Sequence, residues 1–266
     1  HLSLRRQRQM CIRDRLQSEE GLYALKKNAR TLKERAVLSD FTFMESIHAK
    51  TYGTILISLN TFKDIEEIYT WMNNDRRMQF KAKKINEIYQ NGTPMQVKVA
   101  SVFLEGILYY SNFFIPLWYR GQNKLANLAE LIKLVIRDES VHGTYLGYKF
   151  RQDFNELSIT EQESFTNWMY SFLEELLDNE FAYTEEVYSE IGLVEDIKTF
   201  VKYNANKSLQ NMGFDIYFKD ASANDVNPIV MNGISIETAN HDFFSQVGAG
   251  YLMGEAEEML DDDYIF

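Results

Sequence analysis

Two short runs in this chain carry the pattern Glu-x-x-His: Glu45 and His48 in MESIHAKTY, and Glu139 and His142 in IRDESVHGTY. Residues three apart on a helix stand one above the other, so a carboxylate and an imidazole at this spacing can reach one ion. Both pairs fall on apolar stripes. Leu128, Leu131, Ile132, Val135 and Leu146 recur at helical spacing around the second pair, and Val37, Phe41 and Met44 lead into the first. Between them, VASVFLEGILYYSNFF sets Glu105 in an apolar helix with no cation close in sequence. A buried charge without a partner is costly or neutralises itself. A lone Glu-x-x-His match is more often a satisfied histidine than a ligand pair. Two matches that use two of the chain's four histidines, joined by a third inward carboxylate, read as a metal site.

Ferritin-like di-metal carboxylate bundles combine two Glu-x-x-His helices with one carboxylate from each of two further helices. Three of those four helices are evident here. The fourth carboxylate is expected before Thr31, and Asp14, which lies 45 − 14 = 31 residues before Glu45, is the candidate with room for a turn. An oxygen-rich, imidazole-poor set suits two Fe or two Mn ions better than zinc, and the zinc-peptidase order His-Glu-x-x-His is absent. Tyr52 follows His48 by four residues and so projects toward the metals one turn on. With 16 tyrosines in the chain it reads equally as a core phenol or as a redox-active one that yields a tyrosyl radical.

The elements that must hold these residues are helical nearly throughout. Helices are expected from about Thr31 to Leu59, from Thr61 to Tyr89, from Met95 toward Gly121 with Pro116 kinking or ending it, and from Lys124 to Phe154. Ser158 and Glu161 form a capping box that opens a fifth helix ending near Gly192, and a sixth covers Val194 to Gly213. Asn224 to Ile234, with Asn227-Pro228 and Asn232-Gly233, reads as loop. Asp75-Arg76-Arg77 and Lys81 to Lys84 read as a solvated helix face, and Trp71, Trp118 and Trp168 as packing residues. Residues 1–15, with five arginines and no helical stripe, look foreign, like a translated adapter or cloning scar. Residues 16–234 form the expected all-α ferritin-like domain. The stretch 235–266, with Asp261-Asp262-Asp263 and scattered aromatics, reads as a flexible tail able to dock on a partner; His241 within it is given no ligand role.

Composition sets outer limits. The 266 residues suffice for one large core, and 45% hydrophobic with 25% charged residues is ordinary for a globular chain. The net charge of −11 argues against nucleic acid or an anionic membrane as partner. No run of eighteen apolar residues occurs, so no membrane-spanning helix is expected. One cysteine permits no internal disulfide and fits a reducing cytoplasm.

The segments MESIHAKTY, LEGILYYSNFF, IRDESVHGTYLGYK and the tail HDFFSQVGAGYLMGEAEE…DDDYIF together resemble the small (beta) subunit of class Ib ribonucleotide reductase, from about residue 16 to the end. The resemblance implies that Glu45, His48, Glu105, Glu139 and His142 are metal ligands, that Asp14 falls at the family's first aspartate, and that Tyr52 is the radical tyrosine. It further implies that Asp138 bonds a ligand histidine on the radical route, that Tyr251 relays the oxidising equivalent, and that Phe113 packs around the radical. A large (alpha) subunit that reduces ribonucleoside diphosphates, a homodimer, and a flavodoxin-like activator where manganese is used are implied as partners. Two departures stand out: the family's N-terminal region with its tryptophan is not in this chain, and Tyr109 occupies a position where the family usually has phenylalanine. A phenol there is open to hydroxylation or to competing for oxidation. The rival readings are a ferritin-like di-metal oxidase or monooxygenase, a metal-storage bundle, and an inactive fragment; the aromatic tail and the register of Tyr52 with His48 speak against the first, and the second leaves the tail unexplained.

Overall fold

The computed structural model describes residues 17–235, without the side chains of Ser18 and Ser235. Asp14, Tyr251, His241 and the expected docking tail beyond Ser235 lie outside the described residues. Among the described residues there is no strand. The chain opens with a π-helical turn, Gln17–Gly21, followed by α1 (Leu22–Lys27) and α2 (Leu32–Leu59). It continues with α3 (Phe62–Asn74), α4 (Arg76–Asn91) and α5 (Pro94–Phe103), a π-helical segment Leu104–Leu108, and α6 (Tyr110–Gly121). The long helices α7 (Ala126–Phe154) and α8 (Ile159–Tyr188) follow, then a 3-10 turn Ser189–Ile191, α9 (Val194–Asn211) and α10 (Pro228–Ser235).

The starts of these helices are written into the sequence. Thr31 accepts a hydrogen bond from the Glu34 amide, and Thr61 with Asp64, Thr93 with Gln96 and Ser158 with Glu161 close reciprocal capping boxes. Each satisfies amides that have no partner within the helix. Pro94 occupies the first turn of α5, where its missing N–H costs nothing.

Helices α5 to α7 and α9 surround the centre of the molecule, with α5 and α6 packed on α7 and α9 packed on the π segment and α6. Val99, Phe103, Ile107, Phe113, Phe114, Ile132 and Phe200 are fully buried there. The stretch Pro94–Gly121 is apolar and long enough to span a membrane by composition alone, but 94% of its apolar window is buried inside the protein. Of the stripe expected on α7, Ile132, Val135 and Leu146 are buried, whereas Leu131 is 41% exposed.

Four expectations are corrected. The helix expected from Thr61 to Tyr89 is two helices. It breaks at Asp75, which is extended and caps α4 by accepting from the Met78 amide at 2.9 Å. Asn73-Asn74-Asp75 compete for backbone hydrogen bonds and favour such a cap. Second, of the two effects expected of Pro116, ending the helix does not occur: Pro116 sits inside α6, which reaches Gly121 as expected. Third, residues 228–235 are helical rather than loop. Asn227 Oδ1 accepts from the Ile229 amide at 2.9 Å and Pro228 begins the helix, so the Asn-Pro pair is a helix start. Helix α10 then packs along α6, burying Val230.

The fourth correction concerns charge. Asp75 is the cap just described, Arg76 and Arg77 both bind Glu186, and Lys81 is buried, its Nζ 2.6 Å from Glu180 and 4.4 Å from the centre of the Tyr183 ring. Of the supposed solvated face only Arg76 and Lys83 are well exposed.

Candidate metal centre

Helix α2 supplies Glu45, His48 and Tyr52, and α7 supplies Asp138, Glu139 and His142. Glu105 comes from the π segment. The Tyr109 amide donates to the Leu104 carbonyl five residues back, at 3.0 Å, rather than to the residue four back. Such a bulge rotates the side chains after it and is frequent at functional sites. Space for α9 behind it comes from Gly106, where a Cβ would collide with Ser208 Oγ.

The side chains so placed converge. Ligand-type atoms of Glu45, Glu105, Glu139 and His142 all lie within 4.8 Å of one another, and all four residues are buried. His48 joins them through Nδ1, 3.1 Å from Glu139 Oε1 and 3.7 Å from Glu45 Oε1. His142 Nδ1 lies 3.1 Å from Glu45 Oε1, 3.6 Å from Glu139 Oε2 and 3.7 Å from Glu105 Oε2. The imidazole centres are 6.1 Å apart, with both oxygens of Glu139 between the two Nδ1 atoms' reach. Phe41 lies against the His142 ring, centre to centre 4.1 Å.

Six of these atoms make no hydrogen bond of acceptable geometry: Glu45 Oε1, Glu105 Oε2, both oxygens of Glu139, and the Nδ1 atoms of His48 and His142. Buried polar atoms are rarely left so. With only protons available, the charges redistribute. Burial and then the neighbouring Glu139 and Glu45 push Glu105 well above the usual carboxylate range. Burial also favours the charge-free form of Glu139, but Glu105, His142 and His48 outweigh it and hold that carboxyl low. Burial works against imidazolium at His48, yet Asp138, Glu139 and Glu45 push its pKa up to about 12. His142 is raised well above its ordinary value against the same burial, by Glu105, Glu139 and Glu45. Anionic oxygens in excess, holding protons on the imidazoles, are the donor set a pair of divalent cations fits.

Neighbouring groups orient these ligands. His48 Nε2 is 3.1 Å from Asp138 Oδ2, so an Asp138 carboxylate accepts from Nε2–H and leaves Nδ1 facing the cluster. The Tyr109 hydroxyl donates to Glu45 Oε2 at 3.4 Å. Tyr52 and Phe113 are both buried, Tyr52 with 1% of its surface exposed.

Sequence reasoning missed one buried chain beside the cluster. Gln17 Nε2 donates to Glu105 Oε1 at 2.6 Å, the Tyr89 hydroxyl donates to Gln17 Oε1, and Ser101 Oγ donates to the Tyr89 oxygen at 3.2 Å. A glutamine near one end of the sequence, outside any apolar stripe, carries no signal of such a role.

An all-helical bundle with a buried carboxylate and imidazole cluster on three helices defines a ferritin-like protein of the di-metal carboxylate type. Residues 6–228, a range that takes in Asp14, match the family model "Ribonucleotide reductase, small chain". The chain is 41% identical over 258 residues to the ribonucleoside-diphosphate reductase 2 subunit beta of Escherichia coli K12, covering 97% of this chain and 81% of that one. It is 40% identical over 254 residues to the ribonucleoside-diphosphate reductase subunit beta nrdF2 of Mycobacterium tuberculosis H37Rv, covering 95% and 78%. Among solved structures, dimanganese(II)-NrdF of Streptococcus sanguinis superposes with a TM-score of 0.86 at 55% identity, covering 88% of this chain and 82% of that one. The chain belongs to the ribonucleotide reductase small-chain family, and its function is that of the radical-generating beta subunit of ribonucleoside-diphosphate reductase.

Proposed function

We propose that Glu45, His48, Glu105, Glu139 and His142 hold two Fe or two Mn ions, and that Tyr52 is the residue this centre converts to a tyrosyl radical. The observation that carries the reading is the set of six buried ligand atoms without hydrogen bonds, aimed at one another from three helices. Hard carboxylate oxygens with a minority of imidazole nitrogens suit iron and manganese alike; the Streptococcus sanguinis relative is described as holding dimanganese(II). Two divalent ions against three carboxylates leave one positive charge over, which a fourth carboxylate at Asp14 would cancel.

Two metal ions held by these residues would supply, with an oxygen-derived oxidant, the power to remove one electron and one proton from Tyr52. The residues of the chain do the rest. Glu139, with an oxygen toward each imidazole, and Glu45, which lies between the same two imidazoles, would hold the ions between the two histidines. Asp138 fixes the His48 tautomer and connects the cluster to the half-buried outer side of α7, where Asp138 keeps 24% of its side-chain surface exposed. Burial of Tyr52, with 1% of its surface exposed, withholds water and small reductants from the phenoxyl. In this reading the equivalent leaves through Asp138 and, in the tail, Tyr251, to a large (alpha) subunit that holds the ribonucleoside diphosphate. A homodimer is the working form, and a flavodoxin-like activator serves the manganese form. The chain works in the cytoplasm and takes no nucleic acid or membrane as partner.

Anaerobic titration of metal-free protein with Fe(II) or Mn(II) is expected to bind two ions per chain, with Glu139→Ala and His142→Ala binding fewer. A parent chain that takes up no stoichiometric metal sinks the site as drawn.

A further inference from the structure

The three carboxylates of the cluster differ in the partners they keep. Both oxygens of Glu139 and Oε1 of Glu45 have no hydrogen-bond donor, and Glu45 Oε2 has a long contact with the Tyr109 hydroxyl. Glu105 has one oxygen firmly taken: Oε1 accepts from Gln17 Nε2 at 2.6 Å, while Oε2 is left without a donor and faces His142. Gln17 is wholly buried and held from behind by Tyr89, itself held by Ser101. All three hydrogen bonds donate in the same sense, from Ser101 through Tyr89 and Gln17 to the carboxylate, so each polarises the next. The arrangement spans three separate elements: the N-terminal π-helical turn, the last turn of α4, and α5. Gly21 makes it sterically possible, since a Cβ there would collide with Gln17 Oε1 and come within 2.7 Å of the Tyr89 ring.

We propose that Gln17 is a positioning residue of the metal centre: the Ser101–Tyr89–Gln17 chain reserves Oε1 of Glu105 and leaves Oε2 as its one metal-facing oxygen. The inference rests on the metal-centre reading above and adds to it a division of labour. Glu139, with both oxygens open, spans two ions. Glu105 binds one ion through one oxygen, because turning the second inward would strip the buried Gln17 amide of its acceptor. A buried amide without an acceptor is costly, so the orientation is held against change. Partners of this kind typically govern metal affinity by about 10- to 100-fold.

The test compares the parent with Gln17→Met, which keeps the side-chain length and removes the donor, and with Tyr89→Phe, which keeps the ring and removes only the hydroxyl. Two quantities are read: the Mn(II) affinity of the whole chain, and the splitting of the carboxylate stretches in the infrared difference spectrum on metal binding. The splitting separates one-oxygen from two-oxygen coordination. Gln17→Met is expected to weaken Mn(II) binding by about 10-fold or more and to lose the one-oxygen signature of one carboxylate. Tyr89→Phe is expected to move both readings the same way by less, and stands on its own where Gln17→Met does not fold. Gln17→Glu, as long as the parent but an acceptor facing an acceptor, is expected to bind more weakly than Gln17→Met; a role in filling space alone predicts that both variants keep the parent spectrum. An unchanged spectrum and affinity in Gln17→Met and Tyr89→Phe, with two ions bound by the parent, overturns the role of Gln17 and leaves the metal centre standing. Absence of binding by the parent overturns both.

Discussion

At the residue scale, the cluster is a problem in charge. His48, His142 and Glu105 all have pKa values raised by their surroundings, His48 to about 12, so in metal-free protein near neutrality they hold protons that a metal must displace. Metal affinity is therefore expected to rise with pH between about 6 and 9, and binding in weakly buffered solution to release protons. A pH-independent affinity with no proton release contradicts this protonation scheme. For metal-free protein the stability has the opposite trend. The folded pKa of His48 lies above the ordinary imidazole value of 6.5, so its contribution is full below about 6.5 and is lost as pH rises toward 12. Tyr109 offers a second residue-scale test. Its hydroxyl reaches Glu45 at 3.4 Å, within the ligand cluster, so competition with Tyr52 for the oxidant is expected. Tyr109→Phe is expected to keep two ions per chain and to raise the radical yield; an equal yield in both proteins removes the competition. The five ligand candidates that converge were legible because the helical period puts residues three apart on one face, and a charge on an apolar stripe is conspicuous. Gln17 was not, because an amide is ordinary anywhere and nothing local marks the carboxylate it bonds, 88 residues away.

At the scale of elements, the helices with side-chain caps were readable almost to the residue: Thr31, Thr61 and Ser158 each mark a start. What escaped were features set by packing or by single residues. The break at Asp75 needs only one extended residue, and the π segment at Leu104–Leu108 differs from α-helix by one hydrogen-bond step, which no periodicity over five residues can show. Helix α10 was hidden because Asn-Pro signals both turns and helix starts. Lys81 was misread because a lysine on a mixed helix face is usually solvated, and only α8 brings Glu180 over it. That pair now makes its own prediction. Removing one partner leaves a charge buried alone, so Lys81→Met is expected to destabilise by about 3–5 kcal/mol. The double variant Lys81→Met with Glu180→Met is expected to recover most of that loss. Urea unfolding of the three proteins and the parent measures both; equal stability of parent and Lys81→Met contradicts a buried ionised pair.

At the scale of the whole molecule, α2 has two different faces. One buries Glu45, His48 and Tyr52, and the other exposes Phe43 at 65%, Ile47 at 40% and Ile57 at 63%, four and ten residues apart along one side. Exposed apolar residues in line on one helix suit the subunit contact of the expected homodimer. Phe43→Glu is expected to shift sedimentation from dimer to monomer while each chain still binds metal. A dimer of unchanged stability places the contact elsewhere. The core and the bundle were legible from sequence because long amphipathic helices leave strong periodic marks, whereas Asp14, assigned by spacing and resemblance, and Tyr251, assigned by resemblance alone, lie outside the described residues. The central claim is that this bundle generates a radical on Tyr52. Low-temperature electron paramagnetic resonance after Fe(II) loading and oxygen exposure tests it most directly, with Tyr52→Phe alongside. A tyrosyl signal is expected in the parent and none in Tyr52→Phe, with two irons bound in both. Two irons and no radical in the parent, or an undiminished signal in Tyr52→Phe, contradicts it.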